Sequence, residues 1–344
     1  MIPPFCCRHL STWSTGCLHY AHAVKRLTLL LILSANCLGA VFKLPLISER
    51  AAALGDISSE SWELQRLLDP DDDYGLIPVP GPDDWLTSHV EPGQTYDQFV
   101  RSRANRPDEK RRIIYLQPIG GFSTGSSLFL ETLRDYLAAY YQMEVRILPA
   151  KDVDIMRMEP RINTHTKQLQ ILTRRVLDFL STLLPDDAYC LLGVTMQDLY
   201  PHRLWNFVFG QASLRDRVGV YSFARHDPEF FGQSRPDDFG DLLLRRGLKV
   251  TSHETGHMFG LAHCIYYDCS LNGSNNLTES DARTMHLCPV CLRKLHYAIG
   301  FDPVKRYEDL ARFYHRHDWE EEADWCKQQI AKTRDPAAKT HSAD

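Results

Sequence analysis

The sequence predicts an α/β fold with a twisted, mixed and partly parallel sheet at its centre. From Arg112 onward, short apolar runs alternate with longer segments in which apolar residues recur at helical spacing, a pattern typical of strands joined by helices. The chain has 344 residues, of which 44% are hydrophobic and 24% charged, so it can form a substantial core. Its formal net charge of -5 offers no basic surface to a polyanion, and we therefore expect no nucleic-acid partner.

Residues 1–48 form a leader with the composition of a targeting segment. A basic pair precedes the apolar run at 27–33, small residues follow it, and the first acidic residue of the chain is Glu49. This arrangement resembles the core of a signal peptide with an overlong leader. The run is too short to span a bilayer, so we expect no membrane association. A mitochondrial presequence and a disordered leader remain alternatives.

Three further segments follow the leader. Residues 49–110 form a loop-rich N-terminal extension, because clusters of Asp, Pro and Gly favour loops and short helical turns. Residues 111–331 form the main domain, which ends in a helix. Residues 332–344 are predicted to be a disordered tail.

Within the main domain the pattern predicts an alternation of strands and helices. Runs rich in Ile, Val, Leu and Tyr indicate strands, and apolar residues every three or four positions indicate helices. The predicted strands are 113–116, 145–148, 189–194 and 218–223, and the predicted helices are 126–141, 163–184, 241–259 and 303–330. Pro185 ends the second helix. The last strand alternates less cleanly, and we place it at a sheet edge where an extended peptide could pair with it.

One stretch of the sequence has the spacing of a metal site. His253 and His257 are four residues apart in a predicted helix, so both imidazoles project from one face and can bind a single ion. Glu254 lies about 100° around the helix from His253, near the ion without being a ligand. On an unbroken helix His263 would lie about 15 Å along the axis from His253. Gly260 can adopt the left-handed conformation that ends a helix, which lets His263 approach as a third ligand.

The pattern H-E-x-x-H-x-x-G-x-x-H therefore predicts an open, catalytic type of zinc site. Three neutral histidines, His253, His257 and His263, leave a fourth position for water. Zinc lowers the pKa of such a water toward about 7 and polarises a carbonyl group. Glu254 can take the proton of the attacking water and pass it to the departing amine. These groups suit the hydrolysis of peptide bonds, so peptides are the expected partners.

Four cysteines form a compact second group. Cys264 and Cys269 are followed, after eighteen residues, by Cys288 and Cys291 in a C-x-x-C pair. Four thiolates in two pairs suit a closed, structural zinc site, which makes two zinc ions per chain. Two disulfides or free buried thiols are the alternative. Thiolate ligands favour a reducing compartment, and we therefore expect a cytoplasmic protein, although this conflicts with a secretory leader.

The run from His253 to Cys264 resembles the archaemetzincins, a family of metzincin zinc metallopeptidases. In that family a cysteine directly follows the third histidine, and a C-x-x-C pair completes a second zinc site. The likeness extends from about residue 69 to about residue 319 and includes the stretches 84–89, 198–201, 205–213, 222–225 and 287–292. It implies a zincin-like fold with an active-site helix and a zinc-stabilised C-terminal subdomain. It also implies one catalytic and one structural zinc, and aminopeptidase-like action or hydrolysis of neutral peptides.

The sequence departs from the family pattern at one position near the metal site. The family pattern has a methionine two residues after the second cysteine, where this chain has Leu271. Leucine nearly conserves the volume and typically costs under about 1.5 kcal/mol in a core, so we expect the site to survive. A zinc-stabilised peptide-binding protein with little or no turnover is the alternative. Tyr221, Tyr266 and Tyr267 are candidates for stabilising the oxyanion, although each also fits a packing role. We expect a monomer.

Overall fold

The computed structural model describes residues 42–70, 74–121, 126–152 and 154–334. The predictions for the leader up to residue 41 lie outside these residues, as do those for the tail from residue 335. Residues 332–334 belong to a helix, so the prediction of a disordered tail from 332 is wrong at its start.

A five-stranded mixed sheet forms the centre of the fold, as predicted. Its first four strands are parallel and its last is antiparallel. In spatial order they are β2 (Glu144–Ile147), β1 (Ile113–Ile119), β5 (Ala188–Thr195), β8 (Val218–Ser222) and β7 (Gly210–Ser213). Every residue of β1 and β5 is buried, as is usual for parallel strands that are covered on both faces.

The prediction that the strand at 218–223 lies at an edge is wrong, because β7 covers β8. β7 could not be predicted, because its residues Gly-Gln-Ala-Ser lack an apolar alternation. Two glycines explain why the alternation in this region is unclear. A Cβ atom on Gly210 would lie 2.4 Å from the Tyr221 ring, and one on Gly219 would lie 2.3 Å from its hydroxyl oxygen. The Tyr221 side chain thus takes space that side chains at both positions would fill.

A second sheet of three strands corrects the predicted helix at 163–184. It contains β3 (Arg161–Ile162), β4 (Leu169–Leu172) and β6 (Asp198–Tyr200), and the helix α6 is only Thr173–Ser181. Leu169 and Ile171 fit both a helical and an alternating pattern, so their spacing does not decide between them. The buried Gln170 decides for a strand, because its side-chain amide donates to Asp198 Oδ2 at 2.8 Å across the sheet.

The other helices pack around these sheets. They are α1 (Ile47–Leu54), α2 (Trp62–Leu68), α3 (Trp85–Ser88), α4 (Tyr96–Ser102), α5 (Ser126–Tyr141), α7 (Phe239–Met258), α8 (Leu277–Ala282), α9 (Pro289–Ile299), α10 (Pro303–His315) and α11 (Glu320–Arg334). The single helix predicted at 303–330 is therefore two helices. The chain turns between them at Asp318, which has a left-handed φ of 57°, and the Trp319 indole then donates to Asp241 at 2.6 Å. None of the helices in the described ranges combines the length and the apolar character needed to cross a bilayer.

The segment before β1 packs into the same core as the rest of the protein. Leu64, Leu67 and Leu68 of α2 are buried in one apolar cluster with α7 and α9. Arg293 of α9 donates to Glu60 at 2.9 Å and to the carbonyl oxygen of Leu54 at 2.7 Å. Residues 42–110 thus cover the C-terminal part of the fold, while the predicted domain boundary at 111 stays a prediction.

Candidate metal centre

The last two turns of α7 carry His253, Glu254 and His257. The imidazole rings of His253 and His257 lie on one face with centroids 4.7 Å apart, and their Nε2 atoms are 3.1 Å apart. Two nitrogens bound to one tetrahedral zinc at about 2.1 Å would be roughly 3.4 Å apart. The spacing of the two rings therefore suits a shared ion.

The chain reverses directly after α7. Gly260 has a left-handed φ of 82°, and its N–H donates to the carbonyl oxygen of His257 at 2.8 Å. The N–H of Leu261 reaches back to the carbonyl oxygen of Gly256 at 3.3 Å, which completes the hydrogen bonding of a helix that ends in a left-handed residue. The predicted turn at Gly260 is present.

The reversal brings His263 to the other two histidines. Its ring centroid lies 5.2 Å from that of His253 and 5.0 Å from that of His257. One ring nitrogen from each of the three histidines lies within 4.8 Å of the others. The structure thus brings together the three histidines that the sequence pattern singled out. Two of them lie on α7, which packs beside the mixed sheet.

Hydrogen bonds orient all three imidazoles toward a common point. Each Nδ1 faces an oxygen that can accept a hydrogen bond. The Nδ1 of His253 faces the carbonyl oxygen of Ser270 at 2.9 Å, and the Nδ1 of His257 faces the carbonyl oxygen of Leu261 at 2.6 Å. The Nδ1 of His263 faces Glu91 Oε1 at 2.8 Å. With Nδ1 protonated, each Nε2 keeps its lone pair free for a metal. The donor set therefore fits zinc.

Burial sets the charge of the groups in this centre. Removal from water, together with the neighbouring His263, lowers the pKa of His257 to about 4. Burial and the neighbouring His257 and His263 also lower the pKa of His253. Both imidazoles are therefore neutral near pH 7, as a metal ligand must be. Burial raises the pKa of the Glu254 carboxyl to about 7, opposed by the charge of His263.

The four cysteines predicted to form the second site also lie together. Their sulfur atoms are within 4.8 Å of one another, and all four side chains are buried. The Sγ atoms of Cys264 and Cys288 are 3.5 Å apart, well beyond the bond length of about 2.05 Å in a disulfide. None of the cysteines in the described residues forms a disulfide. Four free, convergent thiols fit the closed zinc site that the spacing predicts.

Main-chain N–H groups support this cluster. Those of Leu271 and Cys288 point at Cys269 Sγ from 3.5 and 3.4 Å. Cys288 is the residue directly before α9, and Cys291 lies in the first turn of that helix. Asn272 closes the loop, because its amide donates to the carbonyl oxygens of Cys264 and Tyr267 at 2.8 and 3.0 Å.

Leu271 lies under the active-site helix, at the position of the family methionine. It is fully buried, and a Cβ atom on Gly256 would lie 3.0 Å from its Cδ1. Its carbonyl oxygen accepts the N–H of Cys264 at 2.8 Å. The leucine therefore forms an apolar floor beneath the histidines and at the same time holds the first cysteine.

A cleft of about 410 Å³ opens over the histidines. Its lining includes His253, Glu254 and His263 together with four aromatic residues, Trp85, Trp205, Phe207 and Phe209. The aromatic rim is anchored by a buried ion pair. Arg225 stacks on Phe207 at 3.7 Å and donates to both carboxylate oxygens of Asp198 at 2.8 and 2.9 Å. The cleft is thus a firm groove with the size and apolar wall of a small-ligand or peptide site.

None of the three tyrosines considered for the oxyanion lines this cleft. Tyr221 is fully buried and its hydroxyl has no hydrogen-bond partner among the described residues. Tyr267 packs against Tyr74 with ring centroids 6.4 Å apart, and the Tyr266 hydroxyl lies beside Gly93. Tyr266 and Tyr267 thus pack against the N-terminal segment.

Sequence reasoning missed Glu91 and Gln94. Glu91 orients His263, and burial of its carboxyl, which raises the pKa, is outweighed by the hydrogen bond and charge of His263, so the pKa lies below its usual value. Gln94 donates to the carbonyl oxygen of Gly260 at 3.2 Å and accepts the N–H of Ala262 at 3.1 Å. No motif surrounds either residue, so the sequence offered no signal for them.

Comparison with known proteins shows the family of this chain. Residues 128–297 match the model of peptidase family M54. Archaemetzincin-2 from Macaca fascicularis and from Homo sapiens are each 37% identical over 303 residues, which cover 79% of this chain and 84% of each relative. The chain belongs to the archaemetzincins. It is thus a zinc metallopeptidase by family, and peptides are the substrate class that this family implies.

Other archaemetzincins are also similar. Archaemetzincin-1 from Homo sapiens is 35% identical over 254 residues, which cover 66% of this chain and 51% of that protein. The crystal structure of archaemetzincin from Methanopyrus kandleri has 28% identity and a TM-score of 0.44, covering 56% of this chain and 97% of that one. A zinc-dependent peptidase from Methanocorpusculum labreanum has 27% identity and the same TM-score of 0.44, covering 53% of this chain and 99% of that one.

Gly260→Ala should destabilise the protein. A Cβ atom at this position would lie 2.3 Å from the Cβ of Ala104, and the left-handed φ of 82° disfavours any L side chain. We expect a loss of about 1–3 kcal/mol in the free energy of unfolding, measured in urea. Gly240→Ala, in the first turn of the same helix with open space around it, is the matched control and should be neutral or stabilising. Equal stability of the two variants would contradict the required turn.

Proposed function

We propose that the protein hydrolyses peptide bonds at a catalytic zinc held by His253, His257 and His263, with Glu254 as the general base. One observation carries this proposal. Three imidazoles present their Nε2 atoms to a common point, and the carboxyl group of Glu254 lines the same cleft. A helix bearing satisfied surface histidines would have no reason to orient all three rings in this way.

The reaction follows from these groups. When bound, zinc supplies the Lewis acidity that lowers the pKa of a water molecule and polarises the scissile carbonyl group. Glu254 accepts a proton from the water as the water oxygen bonds to the carbonyl carbon. The carbon–nitrogen bond then breaks, and Glu254 gives the proton to the departing amine. Because Glu254 is half-buried and lines the cleft, its carboxyl group lies where a bound substrate can receive this proton.

We further propose that Cys264, Cys269, Cys288 and Cys291 hold a second, structural zinc. The support is a set of four buried, convergent sulfur atoms with N–H groups directed at one of them. Free thiols of this kind persist in a reducing compartment, which supports a cytoplasmic location. We propose that the chain acts as a monomer without nucleic-acid partners.

We also propose that the enzyme acts at the amino-terminal end of its peptide substrates. The likeness to the archaemetzincins supports aminopeptidase-like action, and the cleft of about 410 Å³ has room for a few residues of a peptide. The aromatic wall formed by Trp85, Trp205, Phe207 and Phe209 supports apolar side chains in the bound peptide.

Glu254→Gln should abolish most of the hydrolysis while zinc stays bound. The amide keeps the shape of the carboxyl group but cannot accept the proton, so kcat should fall by roughly 10²–10⁴-fold. The measurement is turnover of a peptide library by zinc-loaded protein. Glu109→Gln, at an exposed glutamate, is the control and should leave kcat unchanged. Equally negligible rates in wild type and Glu254→Gln would instead indicate a peptide-binding protein without turnover.

Metal analysis should find two zinc ions per chain. His257→Ala removes one of three ligands from the open site and none from the closed one, so it should leave one zinc per chain. His202→Ala, at an exposed histidine outside the centre, should retain both. A wild-type content of one zinc, or two retained in His257→Ala, would contradict the two-site assignment.

Aminopeptidase-like action predicts a dependence on the free amino terminus. We expect a peptide with a free N-terminus to be cleaved at its first bond, and the N-acetylated form of the same peptide to be cleaved at least about tenfold more slowly, because a lost contact of a charged amine costs about 1.4 kcal/mol or more. Mass spectrometry of the products identifies the bond. Internal cleavage of both peptides at equal rates would indicate an endopeptidase.

A further inference from the structure

The third histidine of the centre is supported differently from the other two. His253 and His257 direct Nδ1 at main-chain carbonyl groups that lie nearby in the sequence. His263 instead directs Nδ1 at the side chain of Glu91, 172 residues earlier in the chain, at 2.8 Å. The orientation of His263 therefore depends on a side chain from a distant segment.

The surroundings of Glu91 make this contact firm. Its side chain is 16% exposed and that of His263 is 20% exposed, so water competes little for the hydrogen bond. The second carboxylate oxygen, Oε2, is buried, and the side chain of Trp85 also interacts with this carboxyl group and helps to lower its pKa. Glu91 is thus an acceptor that the fold buries against His263.

Residues 85–94 enclose the loop that bears His263 from two sides. The Trp85 ring meets the His263 ring edge-on with centroids 5.1 Å apart. Gln94 binds the main chain of the same loop at Gly260 and Ala262, and Lys294 of α9 donates to the carbonyl oxygen of Gln94. This segment therefore fixes both the position of the loop and the rotation of the ring.

We propose that Glu91 is a positioning residue of the histidine zinc centre, and that it sets the metal affinity through His263. The inference rests on the proposed function, since it needs zinc at the three histidines. By accepting a hydrogen bond from Nδ1 of His263, Glu91 fixes the tautomer in which Nε2 can bind the ion. The negative charge of Glu91 also makes this Nε2 a stronger electron-pair donor to the metal. Three neutral imidazoles also leave the charge of a divalent cation uncompensated, which a carboxylate one hydrogen bond away offsets in part.

The test compares zinc affinities of Glu91→Ala, Glu91→Gln and the exposed control Glu109→Gln by competition with a chromophoric chelator. Removal of such a partner typically weakens metal binding by 10–100-fold, so we expect about this loss at the weaker, histidine site of Glu91→Ala. Glu91→Gln keeps an acceptor oxygen but not the charge, and should lose less. Glu109→Gln should bind as wild type does. Zinc bound by the cysteines, measured with a thiol reagent, should be retained in every variant.

A second measurement separates positioning from a general loss of structure. In zinc-loaded protein labelled with ¹⁵N-histidine, the Nδ1 proton of His263 should exchange faster with water or shift in Glu91→Ala. The Nδ1 protons of His253 and His257, which face main-chain carbonyls, should be unchanged. Movement of all three signals together would mean that Glu91 acts only on the fold, which overturns the proposal.

The outcomes also separate this inference from the proposed function. Wild-type protein that binds no zinc at the histidines would overturn the proposed function. Wild-type protein that binds zinc there, with Glu91→Ala equal to it in affinity, would overturn the role of Glu91 alone. If Glu91→Ala fails to fold and loses zinc from the cysteines as well, the isosteric Glu91→Gln decides: full affinity at its histidine site overturns the proposal.

Discussion

The reversal of the chain at Gly260 is the constraint on which the rest of the centre depends. A helix alone can present His253 and His257 on one face, but it would carry the next histidine away along its axis. The left-handed residue ends α7 and returns the chain, so that His263 meets the other two rings. Since consecutive Cα atoms are 3.8 Å apart, the same turn also fixes Cys264 at the start of the cysteine cluster.

The loop from Cys264 to Asn272 serves both centres at once. The carbonyl oxygen of Ser270 accepts a hydrogen bond from Nδ1 of His253. The carbonyl oxygen of the next residue, Leu271, accepts a hydrogen bond from the N–H of Cys264. The Ser270 hydroxyl in turn contacts Tyr140 of α5 at 2.6 Å. Hydrogen bonds therefore connect the cysteine loop to the histidine helix and to α5.

Local sequence patterns were sufficient to predict the cluster of three histidines and most strands of the central sheet. Each letter of the histidine motif has a local mechanical reason, so the positions of His253, His257 and His263 could be predicted from spacing. The strands β1 and β5 are continuous apolar runs that are buried on both faces, and such runs are recognisable in a sequence.

What the sequence did not reveal depends on tertiary contacts. β7 has no apolar alternation and is a strand because β8 lies beside it. Gln170 lies in a strand because Asp198 receives its amide across the second sheet, whereas the spacing of its neighbours also fits a helix. Glu91 belongs to the centre only because the fold brings it to His263. Contacts of this kind join residues that are far apart in the sequence, and periodicity carries no trace of them.

Residues 85–94 contact the loop that bears His263, so the part of the chain that forms this centre begins well before the histidine motif. The family match spans 128–297, and the motif lies wholly within it, yet Trp85, Glu91 and Gln94 all precede that span. A fragment that begins at the first strand of the sheet would retain the three histidines and the four cysteines but lack Glu91 and Gln94, whose side chains contact the His263 loop. The part of the chain that shapes this centre is therefore longer than its recognisable signature, and tertiary contacts set its extent.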